Sequence, residues 1–142
     1  MVRLLLAATL VTLVRVAGAI TAPAPGGVVE NAAGSAEESA RRGEKIYTRC
    51  LACHALVYDR VGPRHCGLIG RRAGSVPGFD YSAAMKKSRI TWNEATLNRF
   101  LAKPLKLVPG STMTYDGVPD ARERADLIAY LKQANRSAEC SK

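Results

Sequence analysis

Arg49-Cys50-Leu51-Ala52-Cys53-His54 is the stretch that decides how the rest of the chain is read. Two thiols separated by two residues, with a histidine directly behind them, form the attachment pattern for a c-type haem. Each thiol can add across one haem vinyl group, and the adjacent imidazole then meets the iron from one face. That leaves a second axial position and a large apolar ring to be provided for. Rival readings need other surroundings. A thioredoxin-like Cys-x-x-Cys requires a βαβ setting, and the sequence has no alternating strand and helix patterns. Structural zinc takes four ligands, usually as two spaced pairs. Here Cys66 and Cys140 stand alone, and His65 is the one further histidine.

The chain has 142 residues, enough for one domain, with 21 Lys+Arg against 12 Asp+Glu and a net charge of +9. Only 6% of the residues are aromatic, thin for an unaided core, and a buried haem supplies the missing apolar bulk. A positive excess suits nucleic acid, a membrane surface or an acidic protein partner. No lysine- or arginine-dense block is interleaved with aromatics, which argues against nucleic acid.

Residues 1–19 read as a signal peptide. Met1-Val2-Arg3 is a short basic start, Leu4 to Val14 an apolar run, and Ala17-Gly18-Ala19 a cleavage site of small residues. The run is shorter than the ~20 apolar residues of a membrane span. Arg15, between the run and the cleavage site, keeps an uncleaved membrane anchor as the alternative. Export to the bacterial periplasm, or to an equivalent oxidising space, allows the two remaining cysteines to pair. Residues 20–34, rich in Ala, Pro, Gly and Val and without period, read as a flexible linker ahead of a folded domain over 35–142.

Ser35-Ala36-Glu37-Glu38 fits a capping box, so a helix is expected from there to about Arg49. Its buried stripe is Ala36, Ala40, Gly43, Tyr47 and Cys50. Gly43 in mid-helix costs up to ~1 kcal/mol relative to alanine, a cost that close approach of a second helix would offset. Glycines and prolines from Gly62-Pro63 to Pro77-Gly78 mark a long irregular stretch, of the kind expected where chain packs on haem. A short helix is expected over Tyr81–Lys87. A longer one follows from Glu94 to about Ala102, capped by Asn93 and stopped by Pro104. Lys103 to Pro119 reads as loop and carries the isolated Met113. Asp120-Ala121-Arg122-Glu123 is a second capping box, opening a last helix to about Ala134 with Leu127, Tyr130, Leu131 and Ala134 buried. No stretch reads convincingly as a strand, so the expected class is all-α.

From about Gly43 to Ala134 the sequence resembles the class I cytochromes c, of the mitochondrial type and its small periplasmic bacterial relatives. The matching blocks are Cys50-Leu51-Ala52-Cys53-His54, Gly62-Pro63, Gly67-Leu68-Ile69-Gly70-Arg71-Arg72-Ala73-Gly74 and Pro77-Gly78-Phe79-Asp80-Tyr81. Ile90-Thr91-Trp92, Pro109-Gly110-Ser111-Thr112-Met113 and Asp126-Leu127-Ile128-Ala129-Tyr130-Leu131-Lys132 complete them, in family order. The resemblance implies three main helices, with short helices and long loops wrapped round one haem c, joined covalently through Cys50 and Cys53. It implies His54 and Met113 as axial ligands, with the Pro63 carbonyl fixing the His54 tautomer. Arg71, Tyr81 and Trp92 match residues that bind the haem propionates. Gly43 and Tyr47 match the face that crosses the last helix near Tyr130.

Three positions depart from the family pattern. Phe100 stands where a tyrosine commonly donates to the ligating sulfur, and Met85 where an asparagine joins the same polar network. Cys66 lies in a turn that the family fold brings near the end of the last helix, which implies a Cys66–Cys140 disulfide. The function implied is that of a soluble, monomeric, periplasmic single-haem electron carrier, not an enzyme. Its partners would be acidic redox proteins or membrane respiratory or photosynthetic complexes, steered by Arg49, Lys86, Lys87, Lys103 and Lys106. The alternatives are a haem peroxidase or small-ligand sensor with a labile Met113, and a carrier held by an uncleaved anchor. His65, beside Arg64 in a polar turn, is expected at the surface.

Overall fold

The structure, a computed structural model, describes residues 28–141, so the segment read as a signal peptide lies outside the described residues. Five α-helices are present among these: α1 (Val28–Tyr47), α2 (Ala83–Lys87), α3 (Glu94–Ala102), α4 (Pro104–Leu107) and α5 (Ala121–Ala134). A 3₁₀ turn over Thr48–Cys50 carries α1 into the Cys-x-x-Cys-His stretch. The only β pairing among the described residues is an isolated antiparallel bridge, Arg72 with Thr91. The all-α expectation holds.

Three elements follow their local chemistry closely. Asn93 accepts from the Thr96 amide at 2.9 Å, and Thr96 Oγ1 accepts from the Asn93 amide at 2.9 Å, a reciprocal cap that opens α3 where the sequence placed it. Ser82 caps α2 through the Met85 amide. Asp120 caps α5 through the Arg122 and Glu123 amides, both at 2.8 Å. Glu123 does not complete the second box. It forms a two-pronged pair with Arg49 at 2.8 and 3.0 Å.

Two boundaries differ from expectation. The linker expected over 20–34 is corrected from Val28 onward, because α1 already runs there. Extending a formed helix costs little, and the Glu30, Ala32 and Ala33 of this stretch are good helix formers. Ser35 therefore sits within α1, Ala36 is exposed, and the buried face is Ala40, Gly43, Ile46 and Tyr47. Pro104 does end α3, but it also opens α4 from the first turn, where its fixed φ and missing N–H cost nothing.

α1 crosses α5 at Gly43. A Cβ there would stand 1.9 Å from the Asp126 carbonyl oxygen and 2.8 Å from Tyr130 Cβ. Beside the crossing, buried Asp126 accepts from Ser39 Oγ and from Arg42 at 2.7 and 3.0 Å. The Arg42 hydrogen bonds first, and Ser39 after them, hold the Asp126 carboxyl below its ordinary range. A group depressed in the folded state gives stability that is present above its unfolded pKa and lost as pH falls through its folded value. Acid should therefore weaken the α1–α5 crossing below about pH 4. Asp126→Asn should cost about 1–2 kcal/mol at pH 7, toward the low end because water reaches Arg42. It should also flatten the acid limb in urea titrations repeated from pH 7 to pH 3.

The long loops are pinned onto this frame. Asn135, at the end of α5, accepts from the Leu68 amide at 2.7 Å and donates to the His65 carbonyl at 3.1 Å. The Val118 amide donates to the Leu101 carbonyl at 2.7 Å, tying the Met113 loop to α3. Cys66 and Cys140 stand with Cα atoms 5.0 Å apart, in disulfide geometry.

Candidate functional site

The Cys-x-x-Cys-His stretch is wound as a turn. The Cys53 and His54 amides donate to the Cys50 carbonyl at 3.1 and 2.9 Å, which brings both thiols and the imidazole to the wall of one cavity. Cys50 is half-buried and Cys53 exposed, and neither forms a disulfide. Burial pushes the Cys50 thiol up to about 11. A dithiol built for exchange has its thiol depressed instead. No group of three His, Cys, Asp or Glu side chains able to hold a metal ion occurs among the described residues, so the zinc reading finds no ligand set.

His54 Nδ1 donates to the Pro63 carbonyl at 2.8 Å. With its proton committed there, Nε2 keeps a free lone pair. Burial lowers the imidazole pKa, with the Pro63 bond opposing, and neutral imidazole is the form that ligates iron. Gly62 lets the backbone close on this ring, since a Cβ there would meet His54 Cε1 at 2.3 Å. The loop between α4 and α5 brings half-buried Met113 to the same cavity, its amide donating to Ser111 Oγ at 3.2 Å.

Arg71 lies in the wall with two of its donors used, Nη1 on the Cys66 carbonyl and Nη2 on the Arg64 carbonyl, both at 2.8 Å. Its Nε is buried and has no hydrogen-bond partner. A guanidinium kept from water with a donor unspent calls for an anion. Buried Trp92 lines the cavity too, its amide donating to the Arg71 carbonyl at 2.9 Å, and Tyr81 joins them. Phe100 and Met85 are both buried in the wall. Where the family pattern has two polar partners, these two apolar side chains leave no polar atom unpaired.

Two sequence expectations need correction. His65 is not a surface residue: its ring stacks on His54, with centroids 4.3 Å apart and planes 20° from parallel. It lines the same cavity as His54. Arg49 is not a free charge, because Glu123 occupies both prongs of its guanidinium. Tyr47 and Asn135 organise the His65 turn; periodicity marked Tyr47 as buried, but neither residue's link to His65 has a local signal in the sequence. Both act across long stretches of chain.

Apolar walls, two unpaired thiols, a neutral imidazole with a free nitrogen, a thioether and a guanidinium lacking its anion match one group. They suit a flat apolar macrocycle with two vinyls, an iron and carboxylate side chains, and so define an all-α c-type haem protein. No model of a protein family matches the chain, but individual relatives do. Cytochrome c of Sesamum indicum is 45% identical over 98 residues, 66% of this chain and 88% of that protein. Cytochrome c2 of Blastochloris viridis is 40% identical over 104 residues, 71% of this chain and 82% of its own length. The solved structure of cytochrome cH from Methylobacterium extorquens superposes with a TM-score of 0.65 at 43% identity, covering 66% of this chain and 97% of that one. The chain belongs to the class I cytochrome c family, electron-transfer proteins that carry one covalently attached haem c.

Proposed function

We propose that the chain is a soluble periplasmic electron carrier whose haem is bound through Cys50 and Cys53 and ligated by His54 and Met113. The observation that carries this reading is the convergence of both thiols, the free Nε2 of His54 and the Met113 loop on one apolar cavity. The haem supplies a one-electron Fe(III)/Fe(II) couple, whose potential His/Met ligation raises. The protein's residues do the rest. Pro63 holds the His54 proton at Nδ1, which leaves Nε2 free to take the iron when haem is bound. Arg71, with Tyr81 and Trp92, would take the propionates, giving the unpaired Nε its anion. The apolar wall, including Phe100 and Met85, would keep water from a bound haem and so limit reorganisation when its charge changes. Among the described residues no helix is long and apolar enough to cross a membrane. The export segment read over residues 1–19, together with a Cys66–Cys140 bridge, supports an oxidising compartment.

The electron would pass at the edge beside exposed Cys53. Exposed Lys87, Lys103 and Lys106 have no ion-pair partner among the described residues, while Lys86 reaches Asp80 only at 3.5 Å. These charges suit an acidic partner. Replacing Lys87, Lys103 and Lys106 together by glutamine should slow the reaction with oxidising or reducing membrane fractions about 10-fold at low salt. It should also flatten the salt dependence. Equal rates and slopes in the variant would remove these lysines from docking.

Titration and turnover of the purified holoprotein test the whole reading. The wild type should cycle reversibly between two low-spin states, with a sulfur-to-iron charge-transfer band in the oxidised form. Met113→Ala should lose that band and lower the midpoint potential. A high-spin oxidised wild type that turns over peroxide would overturn the carrier reading and point to a labile Met113, the outcome that Phe100 makes worth testing.

A further inference from the structure

The stacked pair His54–His65 has a support that reaches back into the helix crossing. His65 Nδ1 lies 3.0 Å from Tyr47 Oη. Tyr47 is buried where α1 meets α5, its ring 5.0 Å from that of Tyr130. The phenol and Nδ1 share one hydrogen bond, whose direction the His65 tautomer sets. The His65 ring is thereby tied to the helix crossing. Its backbone is equally fixed. The His65 amide donates to the Ala55 carbonyl at 3.0 Å, and its carbonyl accepts from the Leu68 amide at 3.0 Å and from Asn135 at 3.1 Å.

His54 needs such a support. Its bond to the Pro63 carbonyl, 2.8 Å long, fixes one ring atom but leaves the ring free to rock about the line of that bond. Gly62 limits the approach near Cε1, and the flat face of His65 limits the remaining rotation. Groups behind a ligating histidine commonly set its orientation and basicity. We propose that His65 is a positioning residue, a flat ring anchored by Tyr47 that fixes the rotational setting of the His54 imidazole. The inference rests on His54 being the axial ligand. When haem is bound, the setting of an axial imidazole decides how its π orbitals overlap the iron d orbitals. That overlap governs both the spread of the haem methyl resonances in the oxidised protein and the midpoint potential.

The test uses oxidised holoprotein, read by proton NMR and by redox titration. His65→Leu, which keeps bulk but removes the flat face, should reorder the haem methyl resonances and shift the midpoint. His65→Phe, which restores a ring, should return the wild-type order. Tyr47→Phe, which frees Nδ1, should compress the methyl spread while leaving helix content by circular dichroism unchanged. Wild-type resonance order and midpoint in His65→Leu would overturn the proposal. If His65→Leu yields no holoprotein, Tyr47→Phe decides, and an unchanged methyl pattern there overturns it equally. A wild-type spectrum without a low-spin, imidazole-ligated iron would instead overturn the assignment of His54 itself.

Discussion

Gly43→Ala is expected to cost about 3 kcal/mol of folding stability, although alanine is the better helix former by up to ~1 kcal/mol. The reason is geometric. The added methyl would lie 1.9 Å from the Asp126 carbonyl oxygen and 2.5 Å from its carbon, and neither is the end of a flexible side chain. Relief requires α1 and α5 to move apart as bodies. Separation would loosen the Ser39 and Arg42 hydrogen bonds to Asp126 and thin the packing of Tyr47 on Tyr130. It would therefore reach His65, and through it the haem side of the molecule. Urea unfolding followed by circular dichroism measures the loss. Gly70→Ala is the control, because a Cβ at Gly70 meets nothing within 4 Å and the position carries only the cost of φ +84°. Its loss should be about 1–2 kcal/mol. Equal losses at the two sites would mean that the helices do not cross this closely.

The contrast between these glycines bears on how much of the molecule was legible in the sequence. α3 and α5 were legible because their signals are local: Asn93 with Thr96, and Asp120 ahead of an apolar stripe, are self-contained. Ser35 misled because a capping sequence is also compatible with helix interior, and only the residues before it decide. Pro104 misled because its geometry suits a helix start as well as a stop. In the site, Cys50, Cys53 and His54 were readable from the motif itself, Pro63, Arg71 and Met113 only through the family resemblance, and all line the one cavity. His65 was not. It lies in an irregular loop with no period to reveal its face, and its neighbour Arg64 is held by Asp59 at 2.8 Å. The contacts that turn His65 inward, to Tyr47 and Asn135, come from the ends of α1 and α5. Arg49 was misassigned for a related reason: Glu123, which neutralises it, is distant in sequence and local signals assigned it to a cap.

Removal of the proposed bridge, by Cys66→Ser with Cys140→Ser, is expected to lower stability by about 4 kcal/mol in the chain-entropy model. The two positions are 74 residues apart in sequence, and a loop of that size carries a large closure entropy in the unfolded chain. Haem attachment does not already supply this constraint, since Cys50 and Cys53 close only a short loop between them. In the folded state the change should be small. Asn135 still donates to the His65 carbonyl and accepts from the Leu68 amide, so the turn keeps its place against α5. Two results should therefore separate. The urea midpoint of the holoprotein should fall sharply in the double variant, and wild type treated with reductant should follow it. The haem spectrum and midpoint potential should stay near wild type in both. A double variant that unfolds at the wild-type midpoint, insensitive to reductant, would show that the thiols are not joined. A variant that kept its stability but lost its spectrum would give the pair a different task, holding the His65 turn in register where Asn135 alone does not suffice.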